Sequence, residues 1–250
     1  MTDTGRVRAG NEDAWAADVA QGLYIVADGM GGHNAGEIAA QLVVETLPRL
    51  VQKRLTSMPR TLAAVARRLR SAVSRLSRDV YEQANAEPHL YGMGATVVAA
   101  MILGDDAIVV HMGDSRAYLL REGRLRMLTR DHSVIQALLD AGHITPAQAA
   151  FHPDRNRITA SIGMPGEPTP DSKRVQLRIG DKLLLCTDGL ANMVDDCHVC
   201  QIMDRAEPPE MVCKDLIDAA NAAGGDDNIT VVVIEVREAA RMEEMPASTG

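Results

Sequence analysis

GATVVAAMILGDDAIVVHMGDSRAYLLR, residues 94–121, is dense in apolar and β-branched residues and is cut at short intervals by Gly and Asp. Closely spaced runs of this kind form strands joined by tight turns. The spacing predicts antiparallel hairpins with strands over 94–103, 107–112 and 117–121. Upstream, GLYIVA (22–27) reads as a short buried strand that stops at Asp28, where a glycine-rich turn, DGMGGHNAG, begins. Residues 37–53 carry apolar positions at helical spacing. Pro59 suits the first position of a second, long helix. On that helix Leu62, Val65, Leu69, Val73, Leu76 and Val80 share one face, and Arg67, Arg68, Arg70, Arg75 and Arg78 mark a solvated opposite face.

Downstream, residues 131–170 mix short helical pieces with His, Pro and Gly, and read as an inserted flap rather than as core. KLLLCT (182–187) is a buried strand ending at Asp188. Helices follow over 195–205 and 208–223, and ITVVVIEV (229–236) is the last strand. The polar tail, 237–250, is expected to fray. Strands occur early, in the middle and late, without regular βαβ alternation. The fold class expected is therefore α+β, a layered domain with antiparallel sheets.

The composition narrows the function. Of 250 residues, 46% are hydrophobic but only 2% aromatic, so the core must be aliphatic. A net charge of −8 argues against nucleic acid as a partner, because binding to phosphate backbones needs a basic surface. No apolar run reaches the ~20 residues that span a bilayer, and the first residues have no apolar stretch of a leader. The expectation is a cytoplasmic protein whose four cysteines (Cys186, Cys197, Cys200, Cys213) stay reduced. Cys197 and Cys200 form a CxxC, but no second pair accompanies them, so free thiols are the reading.

One pattern recurs four times: an apolar strand adjoins an aspartate among small residues. The instances are Asp28-Gly29, Gly113-Asp114, Asp188-Gly189 and Asp226-Asp227-Asn228; Glu12-Asp13 adds a fifth acidic site. Singly, each is an ordinary turn. Together, strand ends lying side by side would bring several carboxylates into one place, where they repel unless cations neutralise them. Oxygen ligands select hard ions, Mg²⁺ or Mn²⁺, and Gly29 could bring its carbonyl to one of them. Two such ions can share a hydroxide that attacks phosphorus. A guanidinium would hold the phosphate, and Arg8 lies four residues before Glu12.

Seven stretches now resemble a known family in order and over nearly the whole chain. They are GRVRAGNED (5–13), VADGMGGHNAGE (26–37), GATVVAA (94–100), HMGDSRAYLLREG (111–123), LTRDHSV (128–134), LLLCTDGL (183–190) and GGDDNITVVVIEV (224–236). The chain resembles the metal-dependent protein phosphatases of the 2C type, in their compact bacterial form. The resemblance implies a four-layer α-β-β-α sandwich, two central antiparallel sheets flanked by helix pairs. It implies a single catalytic domain over 1–236 with the flap at about 131–170. The implied activity is hydrolysis of phosphoserine and phosphothreonine on proteins by a metal-bridging hydroxide, without a covalent phosphoenzyme.

In that frame Asp28 bridges two core ions, Mn²⁺ or Mg²⁺, and Gly29 offers its carbonyl to one. Asp188 and Asp227 hold one ion, Glu12 serves the other, and Asp13 stands behind them. Asp114 with Asp188 matches a third, weaker ion. Asn228 completes the family's DN pair in a structural part. Arg8, Asp28 and Asp188 are the implied catalytic residues, and Arg8 and His33 the substrate-binding ones. Phosphoprotein substrates and a cognate Ser/Thr kinase with its targets are the implied partners of a monomer, with no membrane. Animal members carry a general-acid histidine where this chain has Met30, and relatives carry Arg or Asn where this flap has Ala160. His111 reads as a packed residue, and His132, His143 and His152 as flap residues. A non-catalytic phosphoprotein-binding relative would be expected to lose the metal carboxylates, and all are present here.

Overall fold

The structure, a computed structural model, describes residues 1–31, 35–55, 61–149, 151–166 and 168–238, with the backbone alone at 53–55. Two sheets are stacked, and every neighbouring pair of strands is antiparallel. The first sheet runs in the order β1 (Thr2–Asp3), β11 (Ile229–Glu235), β10 (Lys182–Cys186), β7 (Arg116–Arg121) and β8 (Arg124–Met127). The second runs β2 (Asp13–Asp18), β3 (Leu23–Met30), β5 (Val97–Leu103), β6 (Asp106–Met112) and β9 (Asp171–Gln176), and β4 (Gly94–Ala95) pairs with the end of β3.

Helices α1 (Ala35–Leu55) and α2 (Leu62–Ala86) cover the second sheet. Helices α5 (Asp188–Ala191), α6 (Asp196–Met203) and α7 (Pro209–Ala222) cover the first. Three apolar layers hold the four structural ones together, and they are aliphatic as the composition requires. On β3, Ile25 and Ala27 face the helices while Val26 faces the other sheet. On β10, Leu184 and Cys186 pack under the helices while Leu183 and Leu185 fill the space between sheets.

This burial on both faces explains why the central strands read as continuous apolar runs rather than alternating ones. It also explains what the sequence pattern concealed. β2, β8 and β9 border the sheets and are partly exposed and polar (DAWAAD, RLRM, DSKRVQ), so none carries an apolar run. β1 is two residues long and exists only because it pairs with β11.

Several expected boundaries shift. The strand expected to stop at Asp28 continues to Met30, because Gly29 and Met30 pair with Ala95 and Gly94. The strand expected over 94–103 is broken at Thr96, whose backbone N–H donates to the Asp28 carbonyl at 2.8 Å. β10 ends at Cys186, and Asp188 opens α5. Pro59 and the tail beyond Glu238 lie outside the described residues. The long helix starts at Leu62 behind an extended Thr61, whose hydroxyl accepts the Ala64 N–H at 3.3 Å as an N-cap.

In the flap, α3 (Val134–Asp140) and α4 (Pro146–Ala149) bury no residue completely. Its far end is core after all: Ile162 is fully buried and exchanges both backbone hydrogen bonds with Ala95. The helix over 62–86 hides the apolar face expected of it and leaves Arg67 and Arg70 exposed.

The layering sets different costs for the two surfaces. Leu183→Ala, in the space between the sheets, should lower the unfolding free energy by about 3 kcal/mol. Arg67→Ala on the outer face of α2 should change it by less than about 0.5 kcal/mol. Urea denaturation of both variants checks this, and equal costs would contradict the four-layer core.

Candidate metal centre

The carboxylates anticipated from the sequence converge at one end of the sandwich, on the floor of a cleft of about 960 Å³. Glu12, Asp28, Gly29, Asp114, Asp188, Asp227 and Arg8 all line it. Asp28 lies within β3, directly opposite Asp13 of β2. Thr96 clamps its backbone from both sides: the Thr96 hydroxyl accepts the Asp28 N–H at 3.1 Å, and the Thr96 N–H donates to the Asp28 carbonyl. That hydroxyl is also 2.6 Å from the Ser115 hydroxyl, which ties β3 to the loop carrying Asp114.

Gly29 owes its place to close approach. A Cβ there would lie 2.1 Å from the Gly36 carbonyl oxygen, and one on Gly36 would lie 2.8 Å from the Glu12 carboxylate. The two glycines therefore let the first turn of α1 rest against β3 and Glu12. The Gly29 N–H donates to the Glu12 carbonyl at 3.0 Å.

Asn228 fastens the N-terminal loop to the last strand. Its side-chain oxygen accepts the Glu12 N–H at 2.7 Å, and its amide donates to the Thr4 and Gly10 carbonyls, each at 2.9 Å. Gly189 passes so close that a Cβ would meet the Asn228 carbonyl at 1.9 Å. Asp227 accepts from the Arg8 guanidinium at 2.8 Å. Asp188 accepts from Asn192 at 3.0 Å through one oxygen, while its other oxygen is buried without any hydrogen-bond partner. Asp13 is half-buried behind Asp28 rather than on the cleft wall, and it accepts from the Thr187 hydroxyl at 2.9 Å.

Burial and mutual repulsion raise the proton affinity of these groups. Burial above all pushes Asp13 up to about 7, with Asp188 and Asp227 adding to it and bonds from Thr230 and Thr187 opposing it. Asp114 also rises to about 7, from burial and then from Asp188 and Asp131. Asp28 is held well above the carboxylate range by burial and then by Asp13, Asp188, Asp114 and Asp227. Asp188 rises through burial and Asp227, and Glu12 through burial, which the nearby Arg8 partly offsets. These are the marks of a site short of positive charge.

The cleft also holds residues to which the sequence reading gave no role. Arg116 and Asp131 form a two-pronged ion pair at 2.7 and 3.0 Å, and Asp226, Arg155 and Asn156 line the walls. Arg116 and Asp131 stand in two of the family-like stretches, GDSRAYLLREG and LTRDHSV. Their spacing in the chain did not show that they pair. His33 lies outside the described residues. Met30 lines the cleft, and Ala160 packs, half-buried, against the helix-covered core.

His111 is buried, and its ring stacks on that of His132 with centroids 4.7 Å apart. Together with Asp171 the two rings bring ligating atoms within 4.8 Å of one another. His132 is engaged through both ring nitrogens and His111 through Nε2. His111 Nε2 donates to the Arg130 carbonyl at 2.8 Å. His132 Nδ1 accepts the Gly113 N–H at 3.3 Å, so its proton sits on Nε2, facing Asp171 at 3.3 Å. The trio therefore acts as a brace that joins the start of the flap to the loop before Asp114.

Comparison with known proteins agrees with the geometry. The protein phosphatase 2C family profile matches residues 5–216. The serine/threonine phosphatase stp of Listeria monocytogenes is 36% identical over 94% of this chain and 93% of its own length. The serine/threonine protein phosphatase PstP of Mycobacterium tuberculosis is 40% identical over 94% of this chain, which spans 44% of that protein. Among solved structures, the S. agalactiae serine/threonine phosphatase superposes with a TM-score of 0.87 at 35% identity, covering 95% of this chain and 98% of that one. The catalytic domain of PstP in complex with two manganese ions superposes with a TM-score of 0.82 at 38% identity, covering 95% and 96%. With the matched profile, the shared two-sheet fold and relatives of this identity over nearly the full chain, the protein belongs to the protein phosphatase 2C family.

Proposed function

We propose that this protein is a metal-dependent serine/threonine protein phosphatase that removes phosphate from phosphoserine and phosphothreonine. The observation that carries the reading is the crowded carboxylate floor, with a buried Asp188 oxygen that no hydrogen bond satisfies. Such a floor is stable only with protons or cations on it, and an all-oxygen donor set fits Mn²⁺ or Mg²⁺. In this reading Asp28, Glu12, the Gly29 carbonyl, Asp188 and Asp227 would hold two core ions, and Asp114 with Asp188 would hold a third and weaker one. Asp13 supports Asp28 from behind. When bound, such ions neutralise the carboxylates, lower the pKa of water and stabilise charge on the phosphoryl oxygens.

The chain's own groups supply the rest. Arg8 stays charged at every relevant pH, and one of its nitrogens rests on Asp227. Its remaining donors are available to the substrate phosphate. Among the described residues Thr96 and Ser133 are the hydroxyls on the cleft wall, and both are committed: Thr96 to Asp28 and Ser115, Ser133 to the Gln136 N–H that it caps. Neither is placed as a nucleophile, which favours direct hydrolysis over a covalent phosphoenzyme. Met30 lines the cleft but has no proton to give, so it is not the group that protonates the leaving alkoxide.

The same reading takes residues 1–236 as one catalytic unit, with the flap near 131–170 shaping substrate access. It places the protein in the cytoplasm as a monomer that opposes a Ser/Thr kinase acting on the same phosphoproteins. The four cysteines are unpaired, which fits a reducing compartment. Among the described residues no helix is long and apolar enough to cross a membrane.

Chelation by EDTA should reduce phosphopeptide hydrolysis to background, and added Mn²⁺ should restore it; full activity in the metal-free protein would overturn the assignment. Arg8→Ala should raise KM for a phosphothreonine peptide about tenfold, the loss of a charge-assisted contact. Unchanged steady-state constants would remove Arg8 from the phosphate.

The metal-free protein should also show an inverted pH dependence of stability. Asp13 and Asp114 titrate near 7 when folded, against 3.8 ordinarily, so the folded state holds more protons between those values. Stability therefore falls as pH rises from about 4 to about 7. Thermal melts in EDTA across that range test the sign, and a rise with pH would contradict the crowding.

A further inference from the structure

Three guanidinium groups line the cleft, and they are not equivalent. Arg8 is bonded to Asp227, and Arg116 is locked onto Asp131 and Tyr118. Arg155 has no carboxylate partner among the described residues, and the adjacent Arg157 takes the nearby Asp154. An arginine facing a cleft without a partner has five donors to offer a planar or tetrahedral anion.

Its backbone is held rather than loose. The Arg155 N–H donates to the His152 carbonyl at 3.1 Å, and the Arg157 N–H donates to the Asp154 carbonyl at 3.0 Å. The Arg157 carbonyl accepts from Val134 at the start of α3, at 2.8 Å. The flap side of the cleft sets Ile135, Leu139, Pro146 and Ile158 beside the neutral polar Gln136 and Asn156. Arg155 is exposed at that wall, so its guanidinium is open to a substrate lying in the cleft. The cleft, at about 960 Å³, is also far larger than one phosphoryl group needs, which leaves room for neighbouring side chains of a substrate.

We propose that Arg155 reads a second negative charge on the substrate, an acidic side chain or a further phosphoryl group close to the phosphoserine or phosphothreonine being cleaved. This rests on the phosphatase reading above and adds the substrate class. It runs against the protein's overall field. A chain of net charge −8 repels acidic peptides at long range, so a preference for them requires a local cation.

The test uses Mn²⁺-loaded full-length protein and three phosphothreonine peptides. One has alanine on both sides of the phosphothreonine, one has aspartate there, and one carries a second phosphothreonine two residues away. The readout is the ratio of kcat/KM for each anionic peptide to that for the alanine peptide. Within each variant this ratio cancels any general loss of folded protein. The wild-type ratio should be about five for at least one anionic peptide, the scale of one exposed ion pair. The peptide that shows it identifies carboxylate or phosphate as the anion read. Arg155→Ala should bring that ratio to about one, Arg155→Glu should push it below one, and Arg155→Lys should keep part of it.

A wild-type ratio of one or less with both anionic peptides overturns the proposal, as does a ratio that Arg155→Glu leaves unchanged. Para-nitrophenyl phosphate, which has no flanking residues, separates the two levels in the wild-type protein. If it is hydrolysed while the ratios stay at one, only the role of Arg155 fails. If neither it nor any peptide is hydrolysed, the phosphatase reading fails as well.

Discussion

Asp28 and its acidic neighbours share a small buried volume in which like charges cannot all persist unaided. Asp28 faces Asp13 across two paired strands, and Asp188, Asp114 and Asp227 each add to its proton affinity. Its neighbours are arranged to hold these groups rather than to relieve them. Arg8 hydrogen-bonds Asp227 and offsets the others only in part, and Arg116, the other arginine among them with a carboxylate partner, is bonded to Asp131. The deficit of positive charge is therefore a built feature, and it is what makes the site a receptor for cations.

The sandwich exists to keep those groups in place. The central strands of both sheets are buried on both faces and stay apolar right up to the acidic end. Thr96 pins Asp28 to the neighbouring strand and to the loop of Asp114. Asn228 pins the N-terminal loop, and with it Glu12, to the last strand. Gly29 and Gly36 let a helix come close enough to pack against Glu12. The flap is built by the opposite rule. Its helices bury no residue completely, Phe151 is 88% exposed, and its ends are held by Ile162 and by the His111–His132 stack. A rigid floor beneath a lightly packed wall suits chemistry that stays constant while substrates vary.

Legibility followed burial. The central strands and the long α2 helix could be read because a segment with buried faces carries its own apolar signature. β2, β8 and β9 escaped because border strands need little apolar surface and take their form from hydrogen bonds to a partner. Asp28 was read as a strand end because Asp-Gly so often makes a turn, yet pairing with Gly94 and Ala95 carries the strand two residues further. Within the site, the acidic residues were visible as a repeated strand-and-aspartate pattern. The Arg116–Asp131 pair, the committed hydroxyl of Thr96 and the partnerless Arg155 were not, since each depends on which distant group lies opposite.

By itself the amino-acid sequence determined the α+β class, the aliphatic core, the family resemblance and which carboxylates to watch. These are local or ordered properties, written in residue types and spacing. Only the tertiary structure decided that Asp13 pairs across from Asp28 and accepts from the Thr187 hydroxyl, and that one Asp188 oxygen is left without a partner. It alone decided which arginines are already spent. Pairing and desolvation are properties of neighbourhoods in space, and residues more than 200 positions apart, such as Arg8 and Asp227, become neighbours only when the sheets close.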